Sequence, residues 1–198
     1  MATRTEQKAR TRQAILDGCA ELLGGDTAPT IDDVAAHTGI SRATIYRYFP
    51  SSTDIVWHVM ADRAIEPADD VAAAAGDHPI DRVLAAERVV NDYIFANPTG
   101  VRQFELGAIR RVLDGTAEAS DRPARRLRYI DAALEPLTGR LDDTARERLR
   151  HSLALILGSE AFLALIDTCR LDTDEARATT DWACRALVRQ ALAEADPL

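Results

Sequence analysis

Aromatic residues make up only 5% of this 198-residue chain, and no stretch keeps a strict apolar–polar alternation between turn signals, so no strand pattern is present. Cysteine is scarce as well. Cys19, Cys169 and Cys184 form no Cys-x-x-Cys pair, and each sits in helix-like sequence beside apolar residues. That predicts buried thiols and excludes a disulfide framework or a cysteine zinc site. The four histidines, His37, His58, His78 and His151, are scattered, with no His-Glu-x-x-His or Glu-x-x-His spacing for a helical metal site. Gly-x-Gly-x-x-Gly, a Walker-type Gly-Lys-Ser/Thr and Gly-x-Ser-x-Gly are all missing, and with them the phosphate-cradling loops and the nucleophile elbow. No metal, cofactor or enzymatic chemistry is therefore expected. No uncharged apolar run reaches the ~18 residues of a membrane helix, and the N-terminus lacks the apolar core of a signal peptide. The expectation is a soluble, cytoplasmic protein with no membrane partner.

What the chain does have is helix-forming sequence: Ala, Leu and Arg are abundant, with 46% hydrophobic residues to build a core. Prolines and glycines punctuate it into nine predicted helices near 5–23, 31–37, 42–49, 52–66, 79–96, 99–114, 121–135, 142–169 and 174–195. Pro67 and Pro136 end or kink the fourth and seventh. The predicted class is all-α, with an N-terminal helix-turn-helix domain over residues 1–50 and a helical effector-binding and dimerisation domain over 51–198. Charge follows the same division. The net charge is −8, yet residues 1–50 balance Arg4, Lys8, Arg10, Arg12, Arg42 and Arg47 against Glu6, Asp17, Glu21, Asp26, Asp32 and Asp33. A neutral head with a basic tip precedes an acidic body, as though the two met different partners.

The most informative stretch runs from Thr30 to Phe49 and reads as two short helices joined by a tight turn. Thr30 and Asp33 have the spacing of a reciprocal N-terminal cap, Gly39 supplies a left-handed terminator, and Ser41 caps the next helix. Ile31, Val34, Ala35, Ile40, Ile45 and Phe49 are placed to pack on Ile15, Leu16 and Leu22 of the first helix. Arg42, Ala43, Thr44, Tyr46, Arg47 and Tyr48 are left pointing outward, donors and small apolar groups without an acid among them. Such a face suits double-stranded DNA, whose major groove is about 12 Å wide and is met by the first turn of a recognition helix. Arg42 is expected on a guanine edge or a phosphate, Thr44 on a base, Tyr46 and Tyr48 on phosphates, with Thr30 and Ser41 bringing helix-start N–H groups to the backbone. An ordinary helical hairpin within a scaffold protein is the competing reading.

From Thr30-Ile-Asp-Asp-Val-Ala through Gly39-Ile-Ser-Arg-Ala-Thr-Ile-Tyr-Arg-Tyr-Phe-Pro50-Ser, preceded by an Arg-x-x-Ile-Leu helix, the sequence closely resembles the N-terminal DNA-binding domain of the tetracycline-repressor (TetR) family of bacterial transcriptional regulators. The resemblance covers about residues 8–56; beyond it only length and helical character match. It implies a homodimer whose last two helices form a four-helix bundle, with a pocket for a small-molecule effector of unknown identity among the middle helices. It favours repression over activation without deciding between them. One position departs: Ser52 stands where the family often has a phosphate-contacting lysine, so a Ser hydroxyl or helix-start N–H must substitute there. Arg4, Lys8, Arg10 and Arg12 are then the compensating charges, expected on a flexible arm.

In the body, the predicted 142–169 helix is apolar around its circumference, which implies burial on most sides. Leu149, Leu153, Ile156 and Leu163 of this helix, with Trp182 and Leu187 of the last, are the expected dimer seam. Glu160 and Asp167 lie on one face of it, expected to pair with Arg110, Arg111 or Arg128, or else Glu160 anchors an effector. Met60, Arg63, Tyr93, Phe104, Tyr129 and Glu160 are the expected ligand-binding residues, and helix 52–66 is the expected lever between the two functions.

Overall fold

The computed structural model describes residues 3–23, 27–62, 66–116 and 124–195, and among these every regular element is helical. In chain order these are α1 (Arg4–Leu22), α2 (Ile31–Thr38), α3 (Arg42–Tyr46), α4 (Ser52–Asp62), α5 (Ala68–Ala74), α6 (Pro79–Ala96), α7 (Pro98–Leu113) and α8 (Arg125–Ala133). A 3-10 turn (Glu135–Leu137), α9 (Asp143–Ile156), α10 (Ser159–Phe162), a π-helical turn (Leu163–Thr168) and α11 (Thr173–Ala195) complete them. The chain forms two compact units: residues 1–64 with 97–123, and residues 65–96 with 124–198.

The first unit holds α1 to α4 and α7. Its core is Ile15, Leu16, Cys19, Leu23, Ile31, Val34, Ile45, Phe49, Ile55 and Val56, with Val59 and Met60 packed against it. The arm expected to carry Arg4, Lys8, Arg10 and Arg12 is instead the start of α1. Thr3 caps it by accepting from the Glu6 N–H at 3.3 Å, while Glu6 accepts from the Thr3 N–H at 2.7 Å, so two orphan donors are satisfied and helix begins at Arg4. Arg12 lies over the Phe49 ring, 5.2 Å from its centroid. Helix α7 closes the unit against α4. Thr53 donates to Gln103 at 2.9 Å, Phe104 stacks on Trp57 with centroids 6.2 Å apart, and Arg111 sits 4.4 Å above Trp57 while pairing with Asp54 at 3.5 Å.

The second unit is built around Val83, Leu84, Ile130, Leu134, Leu137, Leu149, Leu153, Leu157, Cys184 and Val188. Here the sequence reading needs three corrections. Helix α5 was not anticipated; Pro67 stands at its N-cap position and Asp69 and Asp70 occupy its first turn, which is favourable at a helix start. Cys169 is exposed, unlike the buried Cys19 and Cys184, whose thiols burial pushes up to about 12. The continuous helix expected over 142–169 is broken. Leu157 leaves helical conformation (ψ 91°), Gly158 takes φ 149°, a value that favours glycine, and the axis bends by 53° before the chain resumes as α10 and the π-helical turn. No single described helix is long and apolar enough to cross a membrane.

A buried polar cluster satisfies this break. The Asn91 side chain donates to the Ile156 carbonyl at 3.0 Å and accepts from the Gly158 N–H at 2.9 Å, and Arg126 donates to the Leu157 carbonyl at 3.1 Å. Asn91 also donates to Glu87 at 2.9 Å, and Glu87 accepts from the Thr180 hydroxyl at 2.8 Å. Glu87 is 5% exposed. Burial raises its carboxyl above the ordinary range; the hydrogen bonds from Thr180 and Asn91 oppose the shift, and the Asp92 and Asp181 charges add to it. Folding therefore favours the protonated form, and the stability this gives is full below the ordinary carboxylate pKa and drains away as pH rises through the elevated value. Glu87→Gln keeps the acceptor and removes the charge. Urea midpoints of this variant are expected to match the parent near pH ~4 and to exceed it near pH ~8.

Candidate nucleic-acid interface

Two short helices and the turn between them are fixed almost wholly by local hydrogen bonds. Thr30 accepts from the Asp33 N–H at 3.2 Å while Asp33 accepts from the Thr30 N–H at 2.9 Å and from its hydroxyl at 2.6 Å, the reciprocal cap that starts α2. These bonds from Thr30 hold the Asp33 carboxyl below the usual range. Gly39 at φ 70° ends α2, where a β-carbon would be strained. Ser41 then caps α3, accepting from the Thr44 N–H at 3.3 Å and donating to the Thr44 hydroxyl at 3.0 Å. Helix α3 is shorter than the expected 42–49. After Tyr46 come two tighter bonds, Arg47 N–H to Thr44 O at 3.2 Å and Tyr48 N–H to Ile45 O at 2.9 Å, then Phe49 N–H to Ile45 O at 3.0 Å, and Pro50 follows, which disfavours continuing the helix.

The face that results is close to the expected one. Arg42, Ala43, Tyr46 and Arg47 are exposed, Thr44 is half-buried, and Ile45 beneath them is wholly buried. Ser41 and Thr30 are exposed, with both hydroxyls committed to their caps. Tyr48 differs: it is half-buried against the core, with the Arg47 guanidinium 5.7 Å from its ring centroid. Ser52 is half-buried as the first residue of α4, next to Ser51, which accepts from the Asp54 N–H at 3.2 Å. What the sequence reading missed is an acid touching the face: Arg42 Nη1 donates to Asp32 Oδ1 at 3.0 Å, with both side chains about two-thirds exposed. No spacing rule brings together the first turns of two successive helices; only the turn geometry does.

The expected ligand-binding residues fall in different surroundings. In the first unit, Met60 packs on the core and Phe104 stacks on Trp57. In the second, Tyr129 is buried and donates to the Glu66 carbonyl, Tyr93 is half-buried, and Glu160 is engaged by Arg126 through both carboxylate oxygens. Glu160 thus has Arg126 as partner, not Arg110, Arg111 or Arg128, while Asp167 is exposed. Arg63 lies outside the described residues. The second unit contains a recess of about 510 Å³ lined by Glu66, Val71, Ala74, Ala75, Asp81, Leu84, Ala85, Arg88, Val89 and Arg185. Of the expected seam residues, Leu149 and Leu153 are consumed by the core of their own unit, because α9 turns that face inward to meet α8 and α11. Ile156, Leu163 and Leu187 are half-buried, and Trp182 is 70% exposed, as is Leu155. Among the described residues no three His, Cys, Asp or Glu side chains converge to hold a metal ion.

Comparison with known proteins finds similarity in sequence and in fold. Residues 15–59 match the family described as bacterial regulatory proteins, tetR family. Over 97 residues the chain is 33% identical to the HTH-type transcriptional repressor LfrR of Mycolicibacterium smegmatis, covering 46% of this chain and 48% of that one. The chain thus spans about half the length of this curated relative. A crystal structure of a TetR transcriptional regulator from Rhodococcus sp. RHA1 superposes with a TM-score of 0.58 over 92% of this chain and 97% of that one, at 21% identity, which shows a shared fold.

Proposed function

We propose, from the match of residues 15–59 to the tetR family of bacterial regulatory proteins, that this chain is a member of that family and a sequence-specific DNA-binding transcriptional regulator acting as a homodimer. One observation carries the reading: α3 exposes Arg42 and Ala43, with Thr44 half-buried beside them, in its first turn while wholly buried Ile45 fixes the helix from beneath. That turn is the part of a recognition helix that meets base edges. The repressor function of LfrR, 33% identical over 97 residues, makes repression the favoured direction of control.

Homodimer formation is supported by the large apolar side chains of Leu155 and Trp182, each 70% exposed on α9 and α11. Release by a small-molecule effector belongs to the same proposal, with the 510 Å³ recess of the second unit, a volume in the range of ligand sites, as a place for it. A ligand need discriminate between two states of the dimer by only ~1.4 kcal/mol to change operator affinity tenfold.

Fluorescence anisotropy on the duplex upstream of its own coding region tests this. Arg42→Ala is expected to cost about 1–3 kcal/mol per half-site on the cognate sequence if Arg42 reads a base, and to weaken all sequences alike if it touches phosphate. With three or four phosphates neutralised per subunit at ~0.9 each, log affinity against log salt should fall with a slope of about −5 to −7. A flat salt response, or a monomer by light scattering at micromolar concentration, overturns the reading.

A further inference from the structure

We propose that Asp32 is a specificity-determining positioning residue, holding Arg42 so that its guanidinium reads a base in preference to a phosphate. The inference rests on the DNA-binding reading above and adds to it a residue from outside the recognition helix.

Asp32 lies in the first turn of α2 and Arg42 is the first residue of α3. The ten residues between them fold back through Gly39 so that Arg42 Nη1 meets both Asp32 oxygens, at 3.0 and 3.4 Å. A guanidinium carries five N–H groups in a rigid planar fork. With Nη1 engaged, the Nη2 and Nε edge remains available, and two adjacent N–H groups are what the O6 and N7 acceptors of guanine require.

The pair is exposed on both sides, 66% for Arg42 and 68% for Asp32, so it contributes little as a structural staple. Its effect is on orientation and on charge. A free arginine is mobile and takes a phosphate as readily as a base; one tethered through one nitrogen presents a fixed edge before DNA arrives, which lowers the ordering cost of the productive pose. The same carboxylate repels phosphate oxygens, and so penalises the sequence-independent use of Arg42. Asp33, its neighbour, is committed to the Thr30 cap and takes no part.

The test is selection from a randomised duplex pool long enough for two half-sites, followed by anisotropy on the selected duplex and on a random one. Full-length parent, Arg42→Ala, Asp32→Asn, Asp32→Ala, the double variant Asp32→Ala/Arg42→Ala and Asp17→Asn are compared. Asp17→Asn removes the same charge from α1, where Asp17 accepts from Gln13 at 2.8 Å. The parent and Asp17→Asn should select one sequence, and Arg42→Ala should lose preference at one base pair of each half. Both Asp32 variants should lose about tenfold of discrimination at that same base pair while binding the random duplex as well as the parent or better. In the Arg42→Ala background, Asp32→Ala should change discrimination at that base pair no further. Asp32→Asn preserves size, so a folding defect confined to Asp32→Ala leaves the test intact. Undiminished discrimination in Asp32→Asn, an effect additive with Arg42→Ala, or the same relaxation in Asp17→Asn overturns the proposal. A parent that selects no sequence overturns the DNA-binding reading itself, and this inference with it.

Discussion

Asn91→Leu is expected to lower the free energy of unfolding by about 2–6 kcal/mol, read from urea denaturation followed by circular dichroism. Asn91 is 1% exposed, and its one amide serves both the Ile156 carbonyl and the Gly158 N–H, besides donating to Glu87. Leucine keeps the branching and heavy-atom count of asparagine but is bulkier, so overpacking adds to a loss that is chiefly polar. Two main-chain groups at the helix break lose their partner, at a cost of ~1–3 kcal/mol for each buried group left unsatisfied. Against a typical total of ~5–15 kcal/mol that is a large share. A loss below ~1 kcal/mol would mean that water reaches the break and replaces the amide.

The second large effect is expected at Ile45. Helix α3 has five residues, far below the ~12 that are even marginally helical in isolation, so its position depends on what it buries. Ile45 is its one fully buried side chain, at 0% exposure. Ile45→Ala should cost about 2–5 kcal/mol through lost burial and the cavity left behind, and Ile45→Val about 0.5–1.5. Sequence-specific DNA binding should fall far more with alanine than with valine, because within α3 Ile45 is the side chain that seats the helix on the core. Equal binding by the two variants in anisotropy, alongside the expected difference in stability, would show that the face does not depend on it.

The turn between α2 and α3 was legible in the sequence because its determinants are short-range. Thr30 with Asp33, Gly39, and Ser41 with Thr44 bond across three or four residues, and each residue type carries its conformation with it. The break in the long apolar helix was not, because Leu153-Ala-Leu-Ile-Leu157 is helical by every local preference. What relieves it is Asn91, 67 residues before Gly158 in the chain, and Arg126, 31 residues before Leu157. Gly158 itself was the one local sign. Partner choice failed for the same reason. The carboxylate of Glu160 was correctly expected to need an arginine, but which of several helices supplies it is a property of packing. The apolar helix face was likewise read as a subunit seam when Leu149 and Leu153 belong to the unit's own interior. Face and period can be read from sequence; what covers a face cannot.

Because α7 packs on α4 although thirty-odd residues of the other unit are threaded between them, the unit that carries α3 is not a contiguous piece of the gene. A fragment stopped after α4 would uncover Trp57 and strip Asp54 of Arg111. Grafting this head onto a foreign body by one cut would deliver a frayed module; a transplant has to carry residues 97–123 along, rejoined by a designed linker.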